Sequence, residues 1–200
     1  MPTDTYNIIT TEGEGLYKDK GSKFIARAFA VNSEAEAKER IAATKKQYYD
    51  ARHCCYAYMI GPDKSLQRSN DDGEPSGTAG KPILNQILSK DVTNVCVTVV
   101  RYFGGVLLGT SGLIAAYKSA ARQALDQATI EQRTIDMVIG ITFGYDLMNT
   151  VMHVIKDENL TTLVSRFAAD CYVEVAVRQS RADYVVQRLS NIYGLRLGRE

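Results

Sequence analysis

The most regular hydrophobic pattern in the chain lies in residues 94–128. An apolar, β-branched run at residues 95–100 predicts a buried strand, because such side chains pack well on a pleated surface. From Leu113 onward, apolar residues recur at helical spacing with charged residues off that face, which predicts an amphipathic helix. We expect Thr110 or Ser111 to cap this helix. The loop between strand and helix holds four glycines: Gly104, Gly105, Gly109 and Gly112.

Alternating apolar and polar residues earlier in the chain predict further strands. These are Tyr6–Thr10, Lys23–Val31 and Cys54–Ile60. The capping box Ser33-x-x-Glu36 predicts the start of a helix. Pro82 suits the first turn of another helix that continues to Leu88. Residues 12–15, with two glycines, predict a turn.

From Asp136 the pattern changes and predicts the order β-α-β-β-α-β in a short stretch, which is the split βαβ or ferredoxin-like motif. Ser180 is expected to cap the second helix of this motif. We therefore expect an α+β fold with two domains, residues 1–133 and residues 134–200, joined by a short linker at residues 131–134.

The strand at residues 171–178 predicts a sheet with one covered face and one open face. An open sheet of this kind can stack RNA bases on exposed aromatic side chains. The aromatic-rich signature of such RNA-binding sheets is missing, and Glu174 lies in the middle of the open face. Contact with protein is therefore the favoured interpretation of this face.

Composition narrows the classes of function. The chain has 200 residues, 45% of them hydrophobic, and a formal net charge of +1, which gives no overall attraction to nucleic acid. Its four cysteines contain no C-x-x-C spacing, so we expect no metal site and no cofactor. No stretch has the length of a membrane span or the pattern of a secretion signal. These features predict a cytoplasmic protein with reduced thiols and no membrane partner.

A glycine loop that leads into a helix can present backbone amides and a positive dipole end to an anion. The loop at residues 104–112 does not match a known phosphate-binding fingerprint, since Gly109 is followed by Thr110 where a Walker A loop has Lys. The alternative is structural: the glycines let a tight loop pass close to neighbouring backbone. The sequence leaves both interpretations open.

A second segment, residues 71–81, contains three acids and then a glycine-rich start to a helix. Three acids in four residues could bind a hard cation. The favoured alternative is a turn-forming acidic loop, because the spacing of a calcium-binding loop is absent. Residues 77–81 also resemble a nest of amides that could hold a phosphate beside Lys81.

Two side chains near these segments deserve separate hypotheses. His53 opens a strand, a common location for functional side chains, but the sequence names no nucleophile and no base for it to serve. Arg101 ends the buried strand before the glycine loop. It either adds a charge to an anion site there or pairs with an acid of the 71–74 segment and holds the two motifs together.

Two long motifs carry a resemblance to a known family. They are G-E-P-S-G-T-A-G-K-P-I-L at residues 73–84 and V-V-R-Y-F-G-G-V-L-L-G-T-S-G-L-I-A-A-Y at residues 99–117, with A-R-H-C-C-Y-A-Y upstream at residues 51–58. Their order and spacing resemble the bacterial branch of the IMPACT family. The resemblance implies an N-terminal α+β domain akin to a ribosomal-protein domain and a C-terminal domain similar to the last domain of elongation factor G. It also implies regulation of translation through protein contacts, the role of the eukaryotic relatives.

The sequence thus predicts a non-enzymatic binding protein with a protein or ribosome partner in translation. Two alternatives remain: an RNA-binding protein, or an enzyme that acts on a phosphorylated small molecule held as a phosphate-bearing ligand by the loops. The candidate binding residues are His53, Asp71, Asp72, Glu74, Ser76, Gly77, Thr78, Lys81, Arg101, Gly104, Gly105, Gly109, Thr110, Ser111, Gly112 and Lys118.

Overall fold

The computed structural model describes residues 4–168 and 170–199, and the chain divides into two compact units. One unit contains residues 6–133, and the other contains Asp4 and Thr5 together with the described residues from Thr134 onward. Both residues fall within the predicted first domain, residues 1–133. They belong with the second unit because the amide of Ile135 donates to the carbonyl oxygen of Asp4 at 2.7 Å, and Ser180 donates its hydroxyl to the Asp4 carboxylate.

The first unit is built on a five-stranded antiparallel sheet of order β2-β3-β7-β4-β5. A smaller sheet has the order β6-β1-β8. The strands are β1 (Thr5–Ile9), β2 (Gly13–Asp19), β3 (Ser22–Ala30), β4 (His53–Ile60), β5 (Leu66–Asn70), β6 (Val92–Thr93), β7 (Val95–Tyr102) and β8 (Ile130–Thr134). The helices are α1 (Glu34–Gln47), α2 (Gly80–Ser89) and α3 (Gly109–Gln127).

The large sheet is covered on both faces, which explains the continuous apolar run of β7. Val95, Val97 and Val99 share a core with residues of α2 and α3. Cys96 points the other way and packs with Ile41 of α1 and with side chains of β3 and β4. A central strand with both faces buried needs apolar residues at consecutive positions, whereas one solvated face would give alternation.

The first glycines of the chain lie in a strand, and the predicted turn at residues 12–15 is wrong. Gly13 and Gly15 belong to β2 and face the backbone of α3. A Cβ atom on Gly13 would lie 1.9 Å from the carbonyl oxygen of Ala124, and one on Gly15 would lie 2.5 Å from that of Ala120. These glycines therefore permit close packing of a helix on a strand.

Of the predicted helix caps, one is confirmed and two are wrong. Ser33 caps α1 as predicted, since its hydroxyl accepts a hydrogen bond from the amide of Glu36 at 3.2 Å. The Thr110 and Ser111 prediction is wrong, because α3 begins at Gly109 and no side chain in the described ranges caps it. The Ser180 cap is also wrong: its helix begins one residue earlier, which places Ser180 inside the first turn.

The second unit has the β-α-β-β-α-β order that the sequence predicted. Its elements are β9 (Asp136–Gly144), α4 (Met148–Asp157), β10 (Thr161–Arg166), β11 (Asp170–Arg178), α5 (Gln179–Ser190) and β12 (Arg196–Arg199). The sheet order is β10-β11-β9-β12, with all neighbours antiparallel. Val173, Val175 and Val177 of β11 lie in the core of this unit, with apolar residues of α4 and α5. The α+β fold class is therefore confirmed. Residues 131–134, expected to be a linker, lie within β8.

Candidate functional site

A buried ion pair joins the two glycine-rich motifs. Nη1 of Arg101, near the end of β7, donates to Oε1 of Glu74 at 2.7 Å. The hydroxyl of Tyr117, on α3, donates to the same oxygen at 2.8 Å. The side chain of Glu74 is 3% exposed and that of Arg101 is 7% exposed, so both charges are out of water and each depends on the other. One carboxylate thus attaches the first motif to both the strand and the helix of the second.

Aromatic rings also hold Arg101 in place. Its guanidinium carbon lies 5.6 Å from the ring centroid of Phe24 and 5.6 Å from that of Phe103, within the range of cation–π attraction. The Phe24 ring meets that of Tyr117 edge-on, with centroids 5.0 Å apart. Nε of Arg101 is buried without a hydrogen-bond partner in the described part of the chain. The pairing with Glu74 is the arrangement that the second hypothesis for Arg101 requires.

The carboxylate of Asp71 organises the first motif from within. It accepts hydrogen bonds from the backbone amides of Gly77 at 2.8 Å, Ala79 at 3.0 Å and Gly80 at 2.8 Å. Burial opposes the charged form of Asp71, but the three amides outweigh it, and the pKa of Asp71 lies below its ordinary value. Asp71 therefore takes the position proposed for a phosphate in the nest, and it satisfies the free amides at the start of α2.

Asp72 connects the motif to α1 and β4. Its carboxylate accepts from Nζ of Lys45 at 2.7 Å and from the amide of Cys54 at 2.8 Å. Burial opposes ionisation, but these two partners keep the pKa of Asp72 below its ordinary value. The carbonyl oxygen of Asp72 lies 2.8 Å from Nδ1 of His53. A carbonyl can only accept, so Nδ1 carries the proton and His53 is held in place by the loop.

Other candidates of the first motif divide into inward and outward side chains. Thr78 is buried, and its hydroxyl donates to the carbonyl oxygen of Pro75 at 2.6 Å. Gly77 has a positive φ of 76°, with no atom within 4 Å of the place where a Cβ would lie. Ser76 and Lys81 are exposed. Only the last two offer free polar side chains to a ligand from this motif.

The second loop contains one glycine that is required for close approach. A Cβ on Gly104 would lie 1.9 Å from the carbonyl carbon of Gly21, in the turn between β2 and β3. The amide of Gly104 also donates to the hydroxyl of Ser22 at 3.1 Å. At this position the structural interpretation of the glycine loop holds.

The remaining candidates of the second motif lie toward solvent. Gly105, Gly109, Thr110, Ser111 and Lys118 are exposed, and Gly112 is half-buried beside Leu108. The structure brings Asp71, Asp72 and His53 together, and it joins Glu74 to Arg101. It gives no described contact between Lys118 and these residues.

An apolar stretch of this loop is exposed to solvent. Phe103 is 49% exposed, Val106 51% and Leu107 82%. We call residues 103–107 the apolar loop. Large apolar side chains that lie together on a surface commonly mark an interaction site. This loop follows directly on β7, where Arg101 is fixed.

The thiols near the site are poor nucleophiles. The sulfur of Cys55 lies 3.0 Å from the carbonyl oxygen of Asp71 and 3.4 Å from the hydroxyl oxygen of Tyr117, and burial raises the pKa of this thiol. Burial also raises the pKa of Cys54 to about 11. In the described ranges no group of three or more His, Cys, Asp or Glu side chains is placed to hold a metal ion.

Two residues that contact the buried network, Tyr117 and Cys55, were not among the candidate binding residues predicted from the sequence. A usable signal existed for Tyr117, since it lies on the apolar face of α3 and a buried tyrosine hydroxyl needs a hydrogen-bond partner. No comparable signal existed for Cys55, which stands in an apolar strand like any core cysteine. The apolar loop was visible in the sequence, but its exposure depends on the fold.

A family profile described as the Impact N-terminal domain matches residues 20–125. This match spans more than half of the chain and includes both glycine-rich motifs. The chain belongs to the IMPACT family. The resemblance inferred from the two motifs is thereby confirmed.

Two members of the IMPACT family show how far the similarity extends. IMPACT family member YvyE of Bacillus subtilis is 31% identical over 179 residues, which cover 90% of this chain and 82% of YvyE. IMPACT family member YigZ of Escherichia coli is 44% identical over 117 residues, covering 58% of this chain and 57% of YigZ. The crystal structure of a hypothetical protein with 30% identity covers 98% of this chain and 97% of its own, with a TM-score of 0.71. The similarity to YvyE and to the solved structure therefore extends past the matched IMPACT domain into the second unit.

Proposed function

We propose that the chain is a non-enzymatic binding protein that regulates translation through contact with a protein or ribosome partner. Membership of the IMPACT family supports a role in translation. The observation that carries the proposal is the exposed apolar loop anchored beside a buried ion pair. None of the helices in the described ranges has both the length and the hydropathy of a membrane span.

The chemistry of the two motifs supports binding over catalysis. Asp71 is engaged by three amides, Asp72 by Lys45, and Glu74 by Arg101 and Tyr117. A general base must be able to reach the proton that it removes, whereas these carboxylates are occupied in holding loops and helices. Such a network fits a rigid support for a contact surface.

The apolar loop supplies the contact in this proposal. Val106 and Leu107 are exposed a few residues after the fixed end of β7, and Phe103 lies against the guanidinium of Arg101. Full burial of one such side chain contributes about 1.5–3 kcal/mol. Because one end of the loop is held by buried contacts, little conformational freedom is lost when a partner covers it.

The test uses a double variant and a matched control. Val106→Ser/Leu107→Ser should weaken partner binding on the order of a hundredfold, since about 3 kcal/mol of apolar contact is removed. Leu163→Ser is the control, because Leu163 is 51% exposed but lies in the second unit. Co-sedimentation with ribosomes and binding to purified translation factors, both from the organism that encodes the chain, measure the affinity.

A photo-crosslinking amino acid at position 107 identifies what lies against the loop, with position 163 as the control site. A crosslink from position 107 to a ribosomal protein or translation factor supports the proposal. Unchanged binding by the double variant, or crosslinks only to proteins outside translation, would overturn it.

A further inference from the structure

A basic groove lies between α2 and α3, and neither residue of the buried ion pair lines it. It has a volume of about 350 Å³ and is lined by Gln86, Ser89, Lys90, Lys118 and Arg122. All of these side chains end in polar groups. A groove of this size and polarity matches a small, strongly hydrogen-bonding ligand better than an apolar one.

The charges around the groove do not cancel. Lys90 and Arg122 both pair with Asp126, Arg122 at 3.5 Å. Lys118 forms no ion pair with any residue in the described ranges and lies one helical turn before Arg122 on α3. Three cations face one anion, so the groove retains a positive potential.

Gln86 makes this groove more than a solvated basic surface. The residue is only 8% exposed, and it lines the groove. Within the described part of the chain no hydrogen bond occupies its side-chain amide, and neither amide atom is fully buried. Buried amides usually have a partner, so this one offers an N–H donor to whatever enters.

We propose that this groove binds a phosphate group. Lys118 and Arg122 would supply charge-assisted hydrogen bonds, and the amide of Gln86 and hydroxyl of Ser89 would supply neutral ones. Arg122 can give a two-pronged contact to phosphate oxygens once it turns from Asp126. This activity goes beyond the proposed protein contact, in which the apolar loop takes part and the groove does not. The phosphate could belong to a small metabolite or to an RNA backbone, and the experiment separates the two.

The experiment measures binding of three probes by the full chain: inorganic phosphate, adenosine diphosphate and a single-stranded oligoribonucleotide. Amide chemical shifts of Gln86, Ser89 and Lys90 report binding at the groove. Lys118→Gln/Arg122→Gln should weaken binding about tenfold or more, equivalent to about 1.4 kcal/mol or more. Lys23→Gln/Lys46→Gln removes the same charge from exposed positions outside the groove and should leave binding nearly unchanged.

Gln86→Met tests the part of the site that a general basic surface would lack. It keeps the length and packing of the side chain but removes the amide donor, and a several-fold loss of phosphate affinity is expected without loss of stability. Tighter RNA binding that weakens with salt, at a slope of about −0.7 per phosphate contacted, would identify a nucleic-acid backbone. RNA binding no tighter than that of adenosine diphosphate would identify a small phosphorylated ligand.

Two results would overturn the proposal. One is the absence of saturable shifts at Gln86, Ser89 and Lys90 with any probe at millimolar concentration. The other is equal loss of binding in the groove variant and in the Lys23→Gln/Lys46→Gln control, which would mean that net charge alone is responsible. Neither result bears on the apolar loop, so the two proposals fail independently.

Discussion

Replacement of Glu74 by glutamine tests how far the two motifs depend on one carboxylate. Glutamine keeps the shape of the side chain but removes its charge, which leaves Arg101 as a buried cation without a partner charge. Loss of one member of a buried pair costs about 3–5 kcal/mol. Since the two side chains are only 3% and 7% exposed, water can compensate little. We expect Glu74→Gln to lower the free energy of unfolding by about 3 kcal/mol.

The second replacement shows whether the cost comes from the pair itself. Arg101→Met removes the cation that Glu74→Gln leaves without a partner charge. The double variant should therefore lose less free energy of unfolding than the sum of the losses in the two single variants. A coupling energy of about 2 kcal/mol is expected for residues in direct contact. Glu131→Gln is the control, because it breaks a pair with Arg133 whose side chains are 49% and 53% exposed, and it should cost less than about 0.5 kcal/mol.

Urea unfolding, followed by circular dichroism and by the NMR amide signals of β7, measures these free energies for the first unit. Two outcomes would refute the reasoning. The single costs could add without coupling, or Glu74→Gln could cost no more than the Glu131→Gln control. If Arg101→Met instead abolished phosphate binding while the chain stayed folded, this result would support the hypothesis of an anion site at Arg101.

Three further predictions concern single features of the fold. Because the pKa of Asp71 is lowered in the folded chain, its contribution to stability is present above the unfolded-state pKa of about 3.9 and is lost as the pH falls through the lower folded value. Asp71→Asn should therefore reduce the dependence of the urea unfolding midpoint on pH in the acid range. An unchanged dependence would contradict this prediction. Gly104→Ala places a methyl carbon 1.9 Å from the backbone of Gly21 and should lower the free energy of unfolding by about 2–3 kcal/mol in thermal unfolding. Gly198→Ala is the control, because no atom lies within 4 Å of its added Cβ, and it should lower the free energy of unfolding by less than about 0.5 kcal/mol. A fragment of residues 134–200 should fold alone, because its apolar faces form a core of their own; a poorly dispersed proton NMR spectrum would count against it.

Local patterns predicted the parts of the fold that local forces determine. The β-branched run of β7 and the apolar stripe of α3 follow directly from burial on strand and helix faces. The cap at Ser33 was predicted correctly because residues three apart form it. The glycines of β2 were wrongly predicted to form a turn. They are needed because the backbone of α3, more than 100 residues further along the chain, packs closely against them.

The buried network was only partly predictable for the same reason. Glu74 meets Arg101 across 27 residues and Tyr117 across 43. Sequence alone could offer an acid of the 71–74 segment as a partner for Arg101, but it could not choose among the three. Nor could it show that the amides before α2 are occupied by Asp71, since an empty nest and an occupied one have the same local sequence.

The bonds of Asp71 have a consequence for the length of the segment that follows it. The carboxylate reaches amides six, eight and nine positions along the chain. Insertion or deletion of one residue between Asp71 and Gly80 would move those amides out of register with the carboxylate and leave the start of α2 without its acceptor. Surface loops ordinarily tolerate changes in length at little cost. This one should accept a new side chain at the exposed position of Ser76 but not one residue more or less.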